Sequence, residues 1–247
     1  MKTLWDKKWE KFKQDKRSHS NLDPVTRALI KFMLRSIPSN AKTIMETGCG
    51  TGRICFFLAK TFPNSRVVGT DISKDSIELC QKGKNERKAA NADFKIMDTN
   101  KLGYGDDYFD VTLCEGLLQH IPSDITGLRE MVRVTKPGGL VFASVVNFNS
   151  FPHTIYKMIR GKSYEHYPEK SYTHRSLIRL FKEAGLRDIE LYGVYPGYAM
   201  QRIEGYLPII GPIITQILYL SAFIFDRFAA NWFSNQFGIQ IIAKGVK

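Results

Sequence analysis

Three glycines, Gly48, Gly50 and Gly52, alternate with small residues in "METGCGTG", directly after one apolar run and directly before another. Glycine is common in turns of every kind, but a turn this dense between a strand and a helix has a sharper reading. Glycine permits backbone angles that other residues avoid and lets a ligand reach the main chain, with a helix N-terminus following at once. The spacing is G-x-G-x-G, with Arg53 where the dinucleotide fingerprint G-x-G-x-x-G needs its last small residue. No lysine followed by Ser or Thr accompanies the turn, which excludes a P-loop. Glu46 precedes it, and a carboxylate there repels a pyrophosphate and suits a ligand with an amino group or positive charge.

Three more acidic residues follow at the ends of apolar runs. Asp71 lies 19 residues after Gly52, where a carboxylate can take both hydroxyls of a ribose. Asp98, in "KIMDTN", can accept from an adenine amino group, and Glu115 stands beside Cys114 at the end of "FDVTLCE". Each alone reads equally as an ordinary strand or helix end. Together with the glycine turn they describe a pocket for adenosine with a cationic or zwitterionic tail, which is S-adenosylmethionine rather than a nicotinamide dinucleotide.

The elements that must position these residues alternate. "TIMET", "RVVGTD", "DFKIMD", "FDVTLCEG" and "GLVFASVV" read as strands, with helical runs "RICFFLAKTF", "KDSIELCQKGK" (capped by Ser73) and "DITGLREMVRVT" between them. "KPGG" supplies a stop to the last of these. Strands alternating with helices predict an α/β fold: a doubly wound, Rossmann-like sheet with helices on both faces and its ligand site at the C-terminal edge. Residues 147–172, aromatic, basic and broken by two prolines, read as a long connection. "THRSLIRLFKEAG" then reads as a helix capped by Thr173 and stopped by Gly185, and "LRDIELYGVY" and "FGIQIIAKGV" as two further strands. Ahead of the core, Trp5, Trp9 and Phe12 fall at helical spacing, and a second helix is expected over Val25 to Ser36.

"METGCGTG", "VVGTDIS", "KIMDTNKLGYGDDYFDVTLCEGLLQHIP" and "RVTKPGGLVFAS", in this order, resemble the class I S-adenosylmethionine-dependent methyltransferases. Among them the chain looks like the small-molecule and lipid-precursor group, the methyltransferase type 11-like proteins that include the quinone methyltransferases. The resemblance covers roughly residues 40–146, is looser over 170–195 and 237–246, and is absent over 196–236. It implies a seven-stranded, mostly parallel sheet whose last strand is antiparallel and inserted beside the penultimate one. It also implies that Glu46, Gly48 and Gly50, with Gly52 completing the turn, line the methionine and ribose part of the cofactor. Asp71 would hold the ribose hydroxyls with Ile72 stacked on the adenine, and Asp98 the adenine amino group, flanked by Met97 and Thr99. Cys114 and Glu115 would sit near the sulfonium.

The division expected from this pattern is an N-terminal part, 1–40, of helices covering the cofactor site. A methyltransferase core follows over 41–195 and 237–247, with 147–172 as its connection or lid and 196–236 as an apolar helical insertion. Methyl transfer is an in-line displacement that needs a general base only when the acceptor carries a proton. His120, in "LLQHIPSD", leads as that base, against a reading in which it packs its loop; His153, His166 and His174 are weaker candidates near the connection.

The acceptor class narrows by absences. The Asn/Asp-Pro-Pro-aromatic sequence that nucleic-acid amino methylases of this fold use after the fourth strand is replaced by "CEGL", and no Pro-Cys pair exists for cytosine C5 chemistry. Nucleic acid thus rests on the net charge of +12 alone, which also reads as scattered surface lysines or as attraction to an anionic membrane. The uncharged run Gly205 to Phe225 is 21 residues long, yet it holds Pro208 and Pro212, and a strand of the same sheet follows it. It reads as an apolar lid starting near Pro212, or as a membrane-surface element over 205–232, flanked by Arg202, Arg227 and Trp232. Both favour a small, apolar or lipid-linked acceptor; methylation of nucleic acid or protein, or a non-catalytic cofactor-binding scaffold, stand as alternatives. Four cysteines without a C-x-x-C pair and a charged N-terminus point to a cytoplasmic protein with reduced thiols and no metal site.

Overall fold

In "RVVGTD" every residue after the arginine is buried, as a strand covered on both faces of a parallel sheet requires. The computed structural model describes residue 5 and residues 24–164, 168–194, 209–228 and 232–247. Its elements run α1 (Pro24–Leu34), β1 (Thr43–Thr47), α2 (Arg53–Thr61), β2 (Arg66–Asp71), α3 (Lys74–Arg87), β3 (Ala92–Ile96), β4 (Phe109–Glu115) and α4 (Asp124–Val134). Then come β5 (Thr135–Val146), α5 (Phe151–Arg160), α6 (His174–Glu183), β6 (Arg187–Val194), α7 (Ile210–Phe228), α8 (Trp232–Phe237) and β7 (Gln240–Val246).

The seven strands form one sheet in the order β3-β2-β1-β4-β5-β7-β6. β1 to β5 pair in parallel, while β7 lies antiparallel to β5 on one side and to β6 on the other. This is the Rossmann-like sheet expected from the sequence. Side chains of β5 show how it is covered: Leu140 and Phe142 join one apolar cluster with α1 and α2, and Val141, Ala143 and Val145 join another with α4 and α6. Alternation with a period of two therefore divides one strand between two cores.

Local chemistry sets the ends. Ser73 accepts from the backbone N of Ser76 and caps α3, and Thr173 with Ser176 forms a capping box on α6. The turn after α4 differs from expectation: Thr135 is already extended, and β5 runs on through "KPGG", so the helix stops one residue ahead of that sequence. The connection 147–172 is also corrected. It contains a ten-residue helix, α5, and one 3-10 turn (Gly161–Ser163), with Tyr164 and Tyr172 buried. Pro152 does not break α5 because it lies in the first turn, where a missing N–H costs nothing.

α1 begins at Pro24 and ends at Leu34, slightly ahead of the expected stop, and α7 begins at Ile210, close to the expected start. The expected first helix beyond Trp5, the candidate His166, and Arg202 with the rest of 195–208 lie outside the described residues, as do the side chains of Arg227 and Trp232. Among the described residues no helix is long and apolar enough to cross a membrane.

Candidate functional site at the carboxyl edge of the sheet

The glycine turn explains itself in its dihedrals. Gly48, Gly50 and Gly52 have φ of 69°, 53° and 74°, the left-handed region that a Cβ disfavours. At Gly48 a Cβ would also stand 2.9 Å from Leu117 Cδ1, in the turn after β4. The turn is held from below: Ser76 Oγ and Cys80 Sγ both donate to the Gly50 carbonyl, and Cys49 N donates to the Thr70 carbonyl of β2.

Glu46 is buried beneath this turn near the end of β1. Its Oε2 accepts from the backbone N and the Sγ of Cys55, at 3.1 and 2.9 Å. Burial is the largest influence on its carboxyl and, with Glu115 nearby, pushes its pKa up to about 8 despite those bonds and Arg53. Cys49, Cys55 and Cys80 are buried, unbridged thiols gathered around it, all pushed above the usual thiol range, so they are inert rather than nucleophilic.

At the end of β2, Asp71 ties the edge together: Oδ2 accepts from Gly50 N at 3.0 Å and Oδ1 from Ser73 N at 2.9 Å. Ile72, next to it, is half exposed. Met97 donates its backbone N to the Asp71 carbonyl, which draws the segment after β3 to the same edge. There Asp98 is exposed and accepts from Asn100, and Thr99 is buried with its hydroxyl against that of Thr47. Glu115, at the end of β4, accepts from the Thr26 hydroxyl of α1 at 2.7 Å and pairs with Arg53 at 3.3 Å.

The fold thus brings Glu46, the three glycines, Asp71, Ile72, Met97, Asp98, Thr99 and Glu115 to one edge. Cys114 is the exception: its side chain points into the apolar cluster under α4 with Leu118, Leu128 and Met131, and burial raises its thiol. Among the described residues no group of His, Cys, Asp and Glu could hold a metal.

A second constellation adjoins the turn after β4, and sequence reasoning missed its centre. Glu169 has a buried side chain onto which four groups converge: His153 Nε2 at 3.2 Å, Lys157 Nζ at 3.1 Å, Tyr164 Oη at 3.0 Å and His120 Nε2 at 4.0 Å. Burial alone would raise its carboxyl, but the hydrogen bond and charge of His153, with Lys157, bring the pKa down to about 2. His120 turns its other nitrogen, Nδ1, to the Pro168 carbonyl oxygen at 3.2 Å and meets the Trp5 ring edge-on. His174, on α6, is partly buried and its pKa is lowered by that burial. Glu169 lies 16 residues from His153 and 49 from His120, which is why spacing gave no signal.

A family model described as a methyltransferase domain matches residues 38–185. The ubiquinone biosynthesis O-methyltransferase of Coxiella burnetii is 25% identical over 173 residues, covering 67% of this chain and 72% of that one. The demethylmenaquinone methyltransferase of a Geobacillus species is 27% identical over 191 residues, covering 69% and 82%. In fold, the chain is similar to phosphoethanolamine N-methyltransferase 2 of Haemonchus contortus, solved with S-adenosyl-L-methionine, at a TM-score of 0.63 and 17% identity, covering 90% of this chain and 52% of that one. The chain belongs to the methyltransferase-domain family and is a class I S-adenosylmethionine-dependent methyltransferase.

Proposed function

We propose that the protein moves a methyl group from S-adenosylmethionine to a small, apolar or lipid-linked acceptor, by in-line displacement. The residues at the edge fit that cofactor. The glycine turn offers bare backbone with three left-handed residues, Glu46 is a buried acid beneath it, and Asp71 and Asp98 follow at the ends of the next two strands. In this reading Glu46 and the turn (Gly48, Gly50, Gly52) hold the methionine part, Asp71 the ribose and Asp98 the adenine amino group. Ile72, Met97 and Thr99 flank the ring, and Glu115 and the backbone of Cys114 lie toward the methyl end. When bound, the cofactor supplies an activated methyl on a sulfonium, so the protein's part is to align the acceptor and exclude water. Leu117 over Gly48 and α1 over Glu115, through Thr26, supply walls for that exclusion.

The observation that carries the acceptor class is α7. Ile210, Ile213, Ile217, Leu220 and Ile224 recur at alternating steps of three and four and are all exposed, with Ile209 and Phe223 beside them. Thr215, on the opposite side, is buried. A stripe this long and apolar on the surface marks an interaction site. Its partner in this reading is an anionic bilayer surface, which suits the net charge of +12 and the exposed Lys162 that follows the second exposed apolar helix, α5. Residues 196–236 then act as an insertion that brings the core, 41–195 with 237–247, to an acceptor held in lipid.

Calorimetric titration with S-adenosylmethionine and with NADH tests the first half: only the former binds, and Asp71→Ala abolishes it. Production of S-adenosylhomocysteine in the presence of demethylated quinols and catechols, with and without vesicles, tests the second. A protein that binds the cofactor and methylates only water-soluble, charged acceptors would overturn the acceptor class.

A further inference from the structure

A surface helix ordinarily lays its apolar stripe on the core and turns its polar face to water. In α5 the two faces are exchanged. His153 and Lys157, at helical spacing on one face, converge on the buried carboxylate of Glu169. Lys157 Nζ also donates to the Glu169 carbonyl and to Ser171 Oγ, both at 3.1 Å. Tyr156 stands edge-on to the ring of Tyr164, which donates to the same carboxylate. The opposite face carries Phe151, Ile155, Met158 and Ile159, all exposed, with Phe148 ahead of them; Met158 is 77% exposed. Polar anchors thus hold α5 on the body of the protein with its apolar side outward, an arrangement that water alone disfavours.

The same inversion recurs in α7, and topology brings the two helices to one edge. β7 is antiparallel to β5, so Val146, the last residue of β5, pairs with Gln240, the first of β7. α5 follows the one, and α7 with α8 precedes the other. Asn147 ties the two sides together. It is buried and donates Nδ2 to the carbonyls of Gln236 and Gly238, at 3.0 and 2.9 Å, while its own carbonyl accepts from Ser150 N just ahead of α5. The glycine turn, Asp71 and Glu115 stand at this same edge, where β1, β2 and β4 end. We infer that α5 is a second bilayer-contacting helix and that, with α7, it seats the carboxyl edge of the sheet, and the candidate site with it, on an anionic lipid surface. Charge selects lipid over a second copy of the chain: residues 147–163 contain no acid, Lys162 at their end is exposed, and the net charge of +12 sets two copies against each other. Helices with one apolar face outward and cations beside it are of the kind that lies in the plane of a membrane interface.

This inference rests on the bilayer reading of α7, and its test separates the two. The native cysteines are buried, so a nitrobenzoxadiazole label on one introduced, exposed cysteine of the full chain reports a single position. Met158→Cys and Leu220→Cys place it on α5 and α7, and Asn85→Cys on the exposed last turn of α3, at the opposite edge near the start of β3. On vesicles of phosphatidylcholine with phosphatidylglycerol, the first two labels should brighten and shift to the blue, and the third should keep its aqueous spectrum. Met158→Asp with Ile159→Asp, both more than half exposed, should keep the thermal midpoint and lower the vesicle-bound fraction several-fold with α7 intact. A label that shifts at 220 and stays aqueous at 158 overturns α5 as a contact and leaves α7 standing, as does undiminished binding of the double variant. A shift at 85 overturns the orientation. A shift at 158 that grows with protein concentration in the absence of vesicles gives the face to a second copy and overturns the bilayer. Failure of the wild type to sediment with the vesicles sinks the reading of α7, and this inference with it.

Discussion

Glu46 and Cys55 are joined twice through one carboxylate oxygen, which accepts from the cysteine's backbone N at 3.1 Å and from its Sγ at 2.9 Å. That bond holds an acid under the glycine turn with its pKa near 8, chiefly because it is buried. At neutral pH the carboxyl of the free protein therefore carries its proton for most of the time. A cationic ligand above it favours the ionised form. Binding of S-adenosylmethionine at pH 7 should release close to one proton, read as a dependence of the calorimetric heat on the buffer's ionisation enthalpy. Glu46→Gln should lose that release and weaken binding by about 10- to 100-fold, the range for a hydrogen bond to a charged group.

The same residue gives the stability curve a definite slope. Its pKa in the folded protein is raised, so the unfolded chain gives up this proton first, and stability falls as pH rises from the ordinary carboxyl range toward about 8. Asp110 acts with the opposite sign. Burial opposes its charge, but Lys136, the backbone N–H groups of Lys42 and Thr43, and the Thr43 hydroxyl together lower its pKa. Its contribution is present above the unfolded value and lost as pH falls through the folded one. Urea unfolding of Glu46→Gln should show less loss of stability between about pH 6 and about pH 8 than the wild type, and that of Asp110→Asn less loss in acid.

Gly48→Ala should lower stability by about 1–2 kcal/mol, the cost of a left-handed residue with a Cβ, and should weaken the cofactor as well. Leu117→Ala opens the space that the new Cβ needs without changing φ. The double variant should thus be less stable than Leu117→Ala alone, measured by urea midpoint. Equal stability of the two would mean that crowding, and not backbone angle, selects this glycine.

Sedimentation with vesicles containing anionic lipid should carry the protein down, and Ile217→Asp with Leu220→Asp should reduce the bound fraction at least tenfold. Each of these side chains is more than half exposed, so the fold should keep its thermal midpoint. Full burial of two such side chains is worth about 3–6 kcal/mol, which leaves ample room for a loss of that size. Retention of binding by the double variant would remove α7 as the membrane contact.

The parts of this molecule that sequence disclosed are those fixed by neighbours a few residues apart. β2 was legible because apolar residues run together where both faces are covered, α3 because Ser73 sits where a cap must sit, and the glycine turn because no other residue type tolerates three alternate left-handed angles. α5 was missed because Pro152 reads as a breaker unless the first turn is known to begin at it. Asp71 was expected at the site, yet the two hydrogen bonds it accepts, from Gly50 N and Ser73 N, depend on how the turn curls back over β2. Of the Glu169 cluster, His120 and His153 were singled out but their common partner was invisible. The cluster's members come from α5, from the turn after β4 and from the segment before α6, and only the tertiary fold makes them neighbours.

The place of β7 governs how the molecule can be made. The last strand of the chain lies inside the sheet, with Leu140 to Val146 of β5 on one flank and β6 on the other. Until residues 240–246 leave the ribosome, β5 and β6 each present an open edge, and β6 has no strand to join. The nascent protein therefore passes through a state in which β5 and β6 are unpaired on the sides that β7 will fill, with the apolar helix α7, which follows β6 in the chain, already synthesised. Such a state is the one most exposed to wrong pairing and to capture by chaperones. A deletion that removes Gln240–Val246 would trap the chain in it.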